Sequence, residues 1–311
     1  MNRRSVLQLA GATAVLAAPI PSWSQSLTTV RLGASLDDGI TPALYALHAG
    51  IFKKFGLDVQ LQGSSSGAAL ASAVAGGVVD IAKSSLMSLI SAYTHGVRFK
   101  IVAGAAQYLA REPTNQLCAL KTGSIKGLAD VNGKTIACNA LRSLDQLGTQ
   151  ALIDKRGGNS ATVKFIELPF SAMLSALEQG RADMAAISNP VLAANLATGE
   201  LRTFGDAYEG LGAPLLIAGW FCTQDYVSRS PAVVERFARA MREATLYTNA
   251  HHAETVPLLA DYSHLDPDVI RKMNRLTNAT SVDAREIQPA IDAAAKYKYI
   301  DEPFSARELL P

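Results

Sequence analysis

Hydroxyls, amides and a few charges recur in this chain at one kind of place, the turn where an apolar strand gives way to a helix. Ser64, Ser65 and Ser66 follow "LDVQLQ" and open an alanine-rich helix from Ala68 to Ala75. Ser84 and Ser85 follow "VVDIAK", and Ser188 and Asn189 close "ADMAAISN". After "TIAC" come Asn139, Ala140, Leu141, Arg142, Ser143 and then a helix. That order sets a guanidinium beside the free N–H groups and the positive dipole end of a helix. Asp37 and Asp38 stand after the first strand, Phe170 opens the helix after "IELP", and Trp220 lies in a later apolar strand. Such groups hold a small polar solute by hydrogen bonds and by stacking on a ring. Arg142, with Asn139 and Ser143, is expected to anchor an anionic group. Asp37 and Asp38 either cap the first helix or meet an amine or ring N–H. Each serine is also a sound helix N-cap, and each aromatic is also sound core material.

Bond-making chemistry finds less support. "GSSSG" lacks the G-x-S-x-G frame of a nucleophile elbow, and no Gly-Lys-Ser/Thr phosphate loop occurs. His251 and His252 are adjacent in a helical stretch and point apart, and His48 falls inside the first helix. Cys118, Cys138 and Cys222 are too widely spaced for a metal cluster. Two of them can pair in an oxidising compartment, or all three can stay as buried thiols. No catalytic residue, metal or cofactor is expected.

The elements that carry these turns alternate. "TTVRLGAS" reads as a strand, "PALYALHAGIFKKFG" as a helix with Pro42 in its first turn and Gly56 at its stop, and "LDVQLQ" as a strand. The strand "VVDIAK", the helix "LMSLISAYTH" and the strand "FKIVAGA" complete a first series. After "QYLAREPTNQ" the pattern restarts, with strands in "LCALK", "TIACN", "TVKFIEL" and "ADMAAIS" separated by helices. From Pro231 the chain reads as mostly helical. Alternation of this kind implies parallel sheets wound right-handedly, with ligands outside the carboxyl ends of the strands. The two series also share a phrase. Aligning Gly77 with Gly180 aligns Ser72 with Ser175, Ala73 with Ala176, Asp80 with Asp183, Ala82 with Ala185 and Ser85 with Ser188.

Composition agrees with a globular protein that has a sizeable core. Of 311 residues, 49% are apolar and 18% charged, and the net charge is +2 without blocks of like charge, so a nucleic-acid surface is not indicated. "MNRRSVLQLAGATAVLAAPIPSWSQS" has a basic start, an apolar stretch from Val6 to Ala18 and small residues after it, the pattern of a secretory leader over residues 1–26. Arg3 and Arg4 fit a twin-arginine signal or an ordinary one. Their removal leaves 27 basic residues against 27 acidic ones.

Four stretches resemble one known family. They are "ALHAGIFKKFGLDVQL", "SSSGAALASAVAGGVVDIA", "LADVNGKTIACN" and "AAAKYKYIDEPFSARELL". The chain resembles the periplasmic solute-binding proteins of ABC importers of the nitrate/sulfonate/taurine and thiamine-pyrimidine type. The resemblance implies an α/β, two-lobed periplasmic-binding-protein fold of type II, each lobe a sheet flanked by helices, with a helical C-terminal tail. Lobe one would hold residues 27–107 and 223–311, and lobe two residues 108–222. It further implies a periplasmic monomer that hands a solute to ABC permease and ATPase subunits; a sensor that reports to a membrane receptor is the alternative role. Relatives that bind taurine or sulfonate often place an aromatic where this chain has Ser188 and Asn189. A thiamine-pyrimidine-related binder or enzyme is the other alternative, although the cysteine-rich motif of the enzymes is missing. The expected solute is a small organic anion, a carboxylate or a sulfonate-like group.

Overall fold

The computed structural model describes residues 26–35, 37–64 and 67–311. The leader expected at the N-terminus, apart from Ser26, lies outside the described residues, as do Ser65 and Ser66. The first third of the chain forms β1 (Thr28–Ser35), α1 (Thr41–His48), α2 (Ile51–Lys54), β2 (Leu57–Ser64), α3 (Gly67–Ala75), β3 (Ile81–Ser85), α4 (Leu86–Thr94), β4 (Phe99–Gly104) and β5 (Ala106–Tyr108). The middle forms β6 (Asn115–Leu120), β7 (Thr135–Cys138), α5 (Leu144–Lys155), β8 (Lys164–Glu167), α6 (Phe170–Glu178), β9 (Met184–Ser188), α7 (Val191–Ala197) and β10 (Leu201–Asp206). The chain then leads back through β11 (Leu215–Leu216) and β12 (Ala218–Thr223). It ends with α8 (Gln224–Arg229), α9 (Pro231–Ala250), α10 (Val256–Ser263), α11 (Pro267–Lys272), β13 (Thr277–Asn278) and α12 (Gln288–Lys296).

Two five-stranded sheets organise these elements. The first runs β2-β1-β3-β12-β4 and the second β10-β6-β9-β7-β8; a small third sheet, β11-β5-β13, gathers the segments that pass between them. The sheets are mixed, where the sequence pattern predicts parallel ones. β1 pairs in parallel with β2 and β3, and β7 with β8 and β9. β12 runs antiparallel to β3 and β4 because it arrives from the other half, and β6 runs antiparallel to β9. β12, which the sequence reading groups largely with residues 108–222, belongs to the first sheet.

The repeated phrase is one structural device used twice. α3 stops at Gly77, whose φ is +69°, and the N–H of Val78 donates to the carbonyl of Ala73 at 2.8 Å. α6 stops at Gly180, whose φ is +66°, and the N–H of Arg181 donates to Ala176 at 2.9 Å. Glycine takes this left-handed stop without strain. Asp80 then accepts the N–H of Arg31 at 2.8 Å and pairs with its guanidinium. Asp183 accepts the N–H of Thr135 at 2.8 Å and pairs with Lys134 at 3.5 Å. Each aspartate locks a parallel strand to its neighbour just before the strand enters the core.

Burial follows the side-chain periods. Val30, Leu32 and Ala34 alternate into the core from β1, at the two-residue period of a strand. In α9 the period lengthens to that of a helix, and Val234, Phe237, Met241, Ala244 and Thr248 share one buried face. Phe237 stacks on Phe52 at 5.8 Å and meets Trp220 edge-on at 5.9 Å. The helix predicted through Gly56 is two helices with a turn at Ala49–Gly50 between them. α12 packs against both α4 and α5, so the tail touches both halves of the molecule.

Candidate functional site

A cavity of about 1050 Å³ lies between the two sheets. Its walls come from the carboxyl ends of β1, β3, β7, β8 and β9 and from the helices that follow them, where open α/β sheets place ligands. The structure brings most of the sequence-predicted residues to it: Asp37, Asp38, Ser84 and Ser85 from one side, and Asn139, Arg142, Ser143, Phe170, Ser188 and Asn189 from the other. Ser64 ends β2 opposite Ser35 and is not among the lining residues. Trp220 is a correction. Its ring is fully buried against Phe237 in the core of the first sheet, so it offers no face to a solute. Ala218, two residues earlier on β12, lines the cavity, whereas Trp220 lies deeper along the strand among Phe237 and its neighbours.

Asp37 and Asp38 have internal partners. Asp37 caps the 3-10 turn Asp38–Ile40 by accepting the Gly39 N–H at 2.9 Å, takes the Ser35 hydroxyl at 2.6 Å, and pairs with Lys83. Burial acts to raise this carboxyl, but the Lys83 charge and these hydrogen bonds together hold it below the ordinary carboxylate range. Asp38 pairs with the buried Arg275 at 2.7 Å and accepts the Leu276 N–H at 2.7 Å. That ion pair fastens the loop after β1 to the segment that leads into β13. Two acids beside an expected anion are thus balanced by two cations. Lys83, the charge within β3, is the signal in "VVDIAKSS" that the sequence reading passes over.

The second half contributes a polar rim. Ser143 caps α5 by accepting the Gln146 N–H at 3.3 Å, and the Gln146 carbonyl oxygen takes the Arg142 N–H at 2.7 Å. Arg142 has φ +58°. Its Nη2 donates to the carbonyls of Tyr299 and Lys298 at 2.6 and 3.3 Å, and its guanidinium lies 4.9 Å from the centre of the Tyr299 ring. The cation expected to face a solute alone is therefore shared with the C-terminal tail. Nε and Nη1 keep their donors, since a guanidinium carries five N–H groups. Beneath the rim, the Tyr208 hydroxyl donates to Asp145 at 2.6 Å; burial raises the Asp145 carboxyl, against the pull of Tyr208 and Asn115. The hydroxyl of Ser84 is buried without a hydrogen-bond partner. Ser85 caps α4 through the Ser88 N–H at 3.3 Å.

The three cysteines are free and buried, and burial pushes each thiol up to about 12, so they stay protonated. Among the described residues no group of three or more His, Cys, Asp or Glu is placed to hold a metal ion, and no helix is long and apolar enough to cross a membrane.

Against known proteins, the family model described as NMT1/THI5 like matches residues 38–255. No curated protein matches the chain. Solved structures do. The periplasmic aliphatic sulphonate binding protein SsuA from Escherichia coli superposes with a TM-score of 0.76 at 19% identity, over 92% of this chain and 98% of that one. The alkanesulfonate-binding protein SsuA from Xanthomonas axonopodis pv. citri, bound to MOPS, gives 0.67 at 20% identity over 91% and 94%. The ligand binding component of an ABC-type import system from Staphylococcus aureus, with zinc bound, gives 0.74 at 10% identity over 91% and 96%. At these identities the likeness is one of fold, and the fold is that of periplasmic binding proteins.

Proposed function

The chain belongs to the NMT1/THI5-like family, and from that premise we propose that it is the periplasmic substrate-binding component of an ABC importer, one that captures a small organic anion between two lobes. Residues 27–107 with the chain from β12 onward act as one lobe and the segment between them, from β6 to β10, as the other, and the protein works as a monomer with permease and ATPase subunits. It needs no cofactor. The observation that carries this reading is the cavity itself, walled from both sides by hydroxyl, amide and guanidinium donors at strand ends. A solute that touches both sides favours the closed state, which is what a capturing clamp requires.

The carboxylate or sulfonate-like group sits by Arg142, Asn139 and Ser143, at the start of α5, and the Ser84 and Ser85 hydroxyls reach it from the facing side. The sulfonate binders among the structural neighbours support an acidic solute. The test is a thermal-shift screen of small carboxylates and sulfonates, MOPS included, on the mature protein. A solute at a hundredfold excess over its Kd stabilises the fold by about 2.7 kcal/mol, which such a screen detects. Arg142→Ala should then weaken binding of the best solute by roughly 2–5 kcal/mol in calorimetry. A change under about 0.5 kcal/mol removes Arg142 from the anion site. Uptake that survives deletion of the protein removes the importer role.

A further inference from the structure

Four acids and two bases border the cavity. Two of the acids are already paired, Asp37 with Lys83 and Asp38 with the buried Arg275. At the start of α5 the balance is different. The cation there is Arg142, which gives Nη2 to two carbonyls of the tail, and the carboxyls are Asp145 and Glu167. Glu167 ends β8 and accepts the Leu141 N–H through Oε2 at 3.0 Å. Asp145 stands in the first turn of α5. The other groups around it are Tyr208 and Asp206 from the end of β10 and the turn after it, Asn115 from β6, and the Cys138 thiol from β7. Burial raises the Asp145 carboxyl against the hydrogen bonds from Tyr208 and Asn115, and among the described residues no cation offsets it. The Tyr208 hydroxyl donates to Oδ1 at 2.6 Å, and in the same network Asn115 Oδ1 is buried without a donor. An acid that enters here meets one partly committed cation and two carboxyls. Like charges that share a site favour keeping a proton on one of them.

We propose that Asp145 contacts the solute as a neutral carboxyl and donates its O–H to the acidic group, so that solute and proton enter the cavity together. The proposal rests on the reading of the cavity as an acid-binding cleft. Tyr208 holds Oδ1, and the proton sits on Oδ2. The proton comes from solvent or buffer, and no bond of the solute breaks. A carboxyl O–H that donates to an oxyanion makes a short, charge-assisted hydrogen bond. The same proton removes the repulsion that a carboxylate would set against an anion beside Ser143. Tyr208 and Asn115 are positioning residues. Asp206 stays out of the contact, because both its oxygens accept backbone N–H groups.

The experiment uses the mature protein with straight-chain carboxylates and 1-alkanesulfonates of two to six carbons, whose own acid groups stay ionised above pH 6. Calorimetry in buffers of different ionisation enthalpy counts the protons taken up with each solute. Binding that takes up a proton strengthens as pH falls, so affinity should drop by about tenfold per pH unit towards pH 8, with about one proton taken up per solute there. Asp145→Asn keeps an acceptor for Tyr208 and supplies an N–H donor that needs no proton. It should bind the same acid severalfold tighter than the wild type at pH 8, with a flat pH profile and no proton uptake. A merely structural Asp145 would give the opposite, weaker binding at every pH with the uptake unchanged, and that result overturns the proposal. Asp206→Asn should keep the uptake; its loss there, with Asp145→Asn unaffected, assigns the proton to Asp206 and overturns the proposal too. The proton count on the wild type decides independently of how well either variant folds. Acids that bind with a flat pH profile and no uptake overturn this proposal and leave the acid-binding reading standing. No binding by any member at any pH from 6 to 8 overturns both.

Discussion

Asp206 ends β10 with both carboxylate oxygens committed to the backbone. Oδ2 accepts the N–H groups of Thr114 and Asn115 at 3.0 Å each, and Oδ1 accepts that of Tyr208 at 2.9 Å. Burial outweighs these bonds and, with the Asp145 charge adding to it, pushes the carboxyl up to about 6 from an ordinary 3.8. The folded state then holds a proton that the unfolded chain has released, so this group costs stability as pH rises from about 4 to about 6. Asp37 acts in the opposite sense: its lowered carboxyl adds stability above the ordinary carboxylate range, and that gain is lost as pH falls below it. We expect the unfolding free energy to decline by roughly 2–3 kcal/mol across the Asp206 window, at about 1.4 kcal/mol per pKa unit, and Asp206→Asn to flatten the decline. The variant should start from lower stability, since its amide meets the Tyr208 N–H. Thermal unfolding from pH 4 to 7 reads both effects, and a variant profile parallel to the wild type would assign the slope to another group. Legibility at this scale was uneven for a physical reason. Strand-end hydroxyls and amides announce themselves, because the sheet sends every such turn to one rim. Lys83 and Trp220 sit on strands that run from the core to the rim, where depth along the strand decides whether a residue borders the cavity, and Arg142 meets a tail more than 150 residues away in sequence.

At the scale of elements, α5 does the most to shape the rim, because Arg142, Ser143 and Asp145 stand at its start. The helix is seated by contact with the 3-10 turn Ala207–Gly210 that follows β10. Gly148 makes that contact possible: a Cβ there would lie 2.5 Å from the Ala207 carbonyl oxygen. Gly148→Ala is expected to lower stability by about 1–3 kcal/mol through overpacking and to weaken solute binding as the helix start shifts. Chemical denaturation and calorimetry on one preparation check the two effects; a stability loss without an affinity loss would uncouple the seat from the rim. The long periodic elements were readable in sequence. α9 shows its apolar face at helical spacing, and the twin glycine stops mark α3 and α6. β5, β11 and β13 were not, since strands of two or three residues carry no pattern of their own and exist only through each other. β10 hid for a related reason: its pairing with β6 shifts register between Thr203 and Asp206, which breaks the alternation that sequence displays.

The whole molecule poses the question of what resists or assists closure of its two halves. The short third sheet crosses between them, and α12 spans them. Ile291 and Ala294 pack into the same apolar cluster as Leu86 and Leu89 of α4 and Leu147 of α5. Beyond α12, the Tyr297 hydroxyl donates to Asp154 at 2.7 Å, the Tyr299 hydroxyl to Gln150 at 2.9 Å, and the Tyr299 carbonyl takes Arg142 at 2.6 Å. On the other side, the Lys100 ammonium donates to the carbonyl of Glu308 at 2.9 Å. The tail therefore ties α5 of one sheet to β4 of the other from behind the cavity. A tether of this kind raises the fraction of molecules already closed, and apparent affinity scales with that fraction. Replacing Tyr297 and Tyr299 by phenylalanine removes two of the ties while keeping the rings packed. The double variant should show a larger radius of gyration than the wild type without solute, the same radius with saturating solute, and severalfold weaker binding. Small-angle scattering and calorimetry together decide it. Equal radii in the solute-free proteins would mean that the short crossing sheet alone sets the opening.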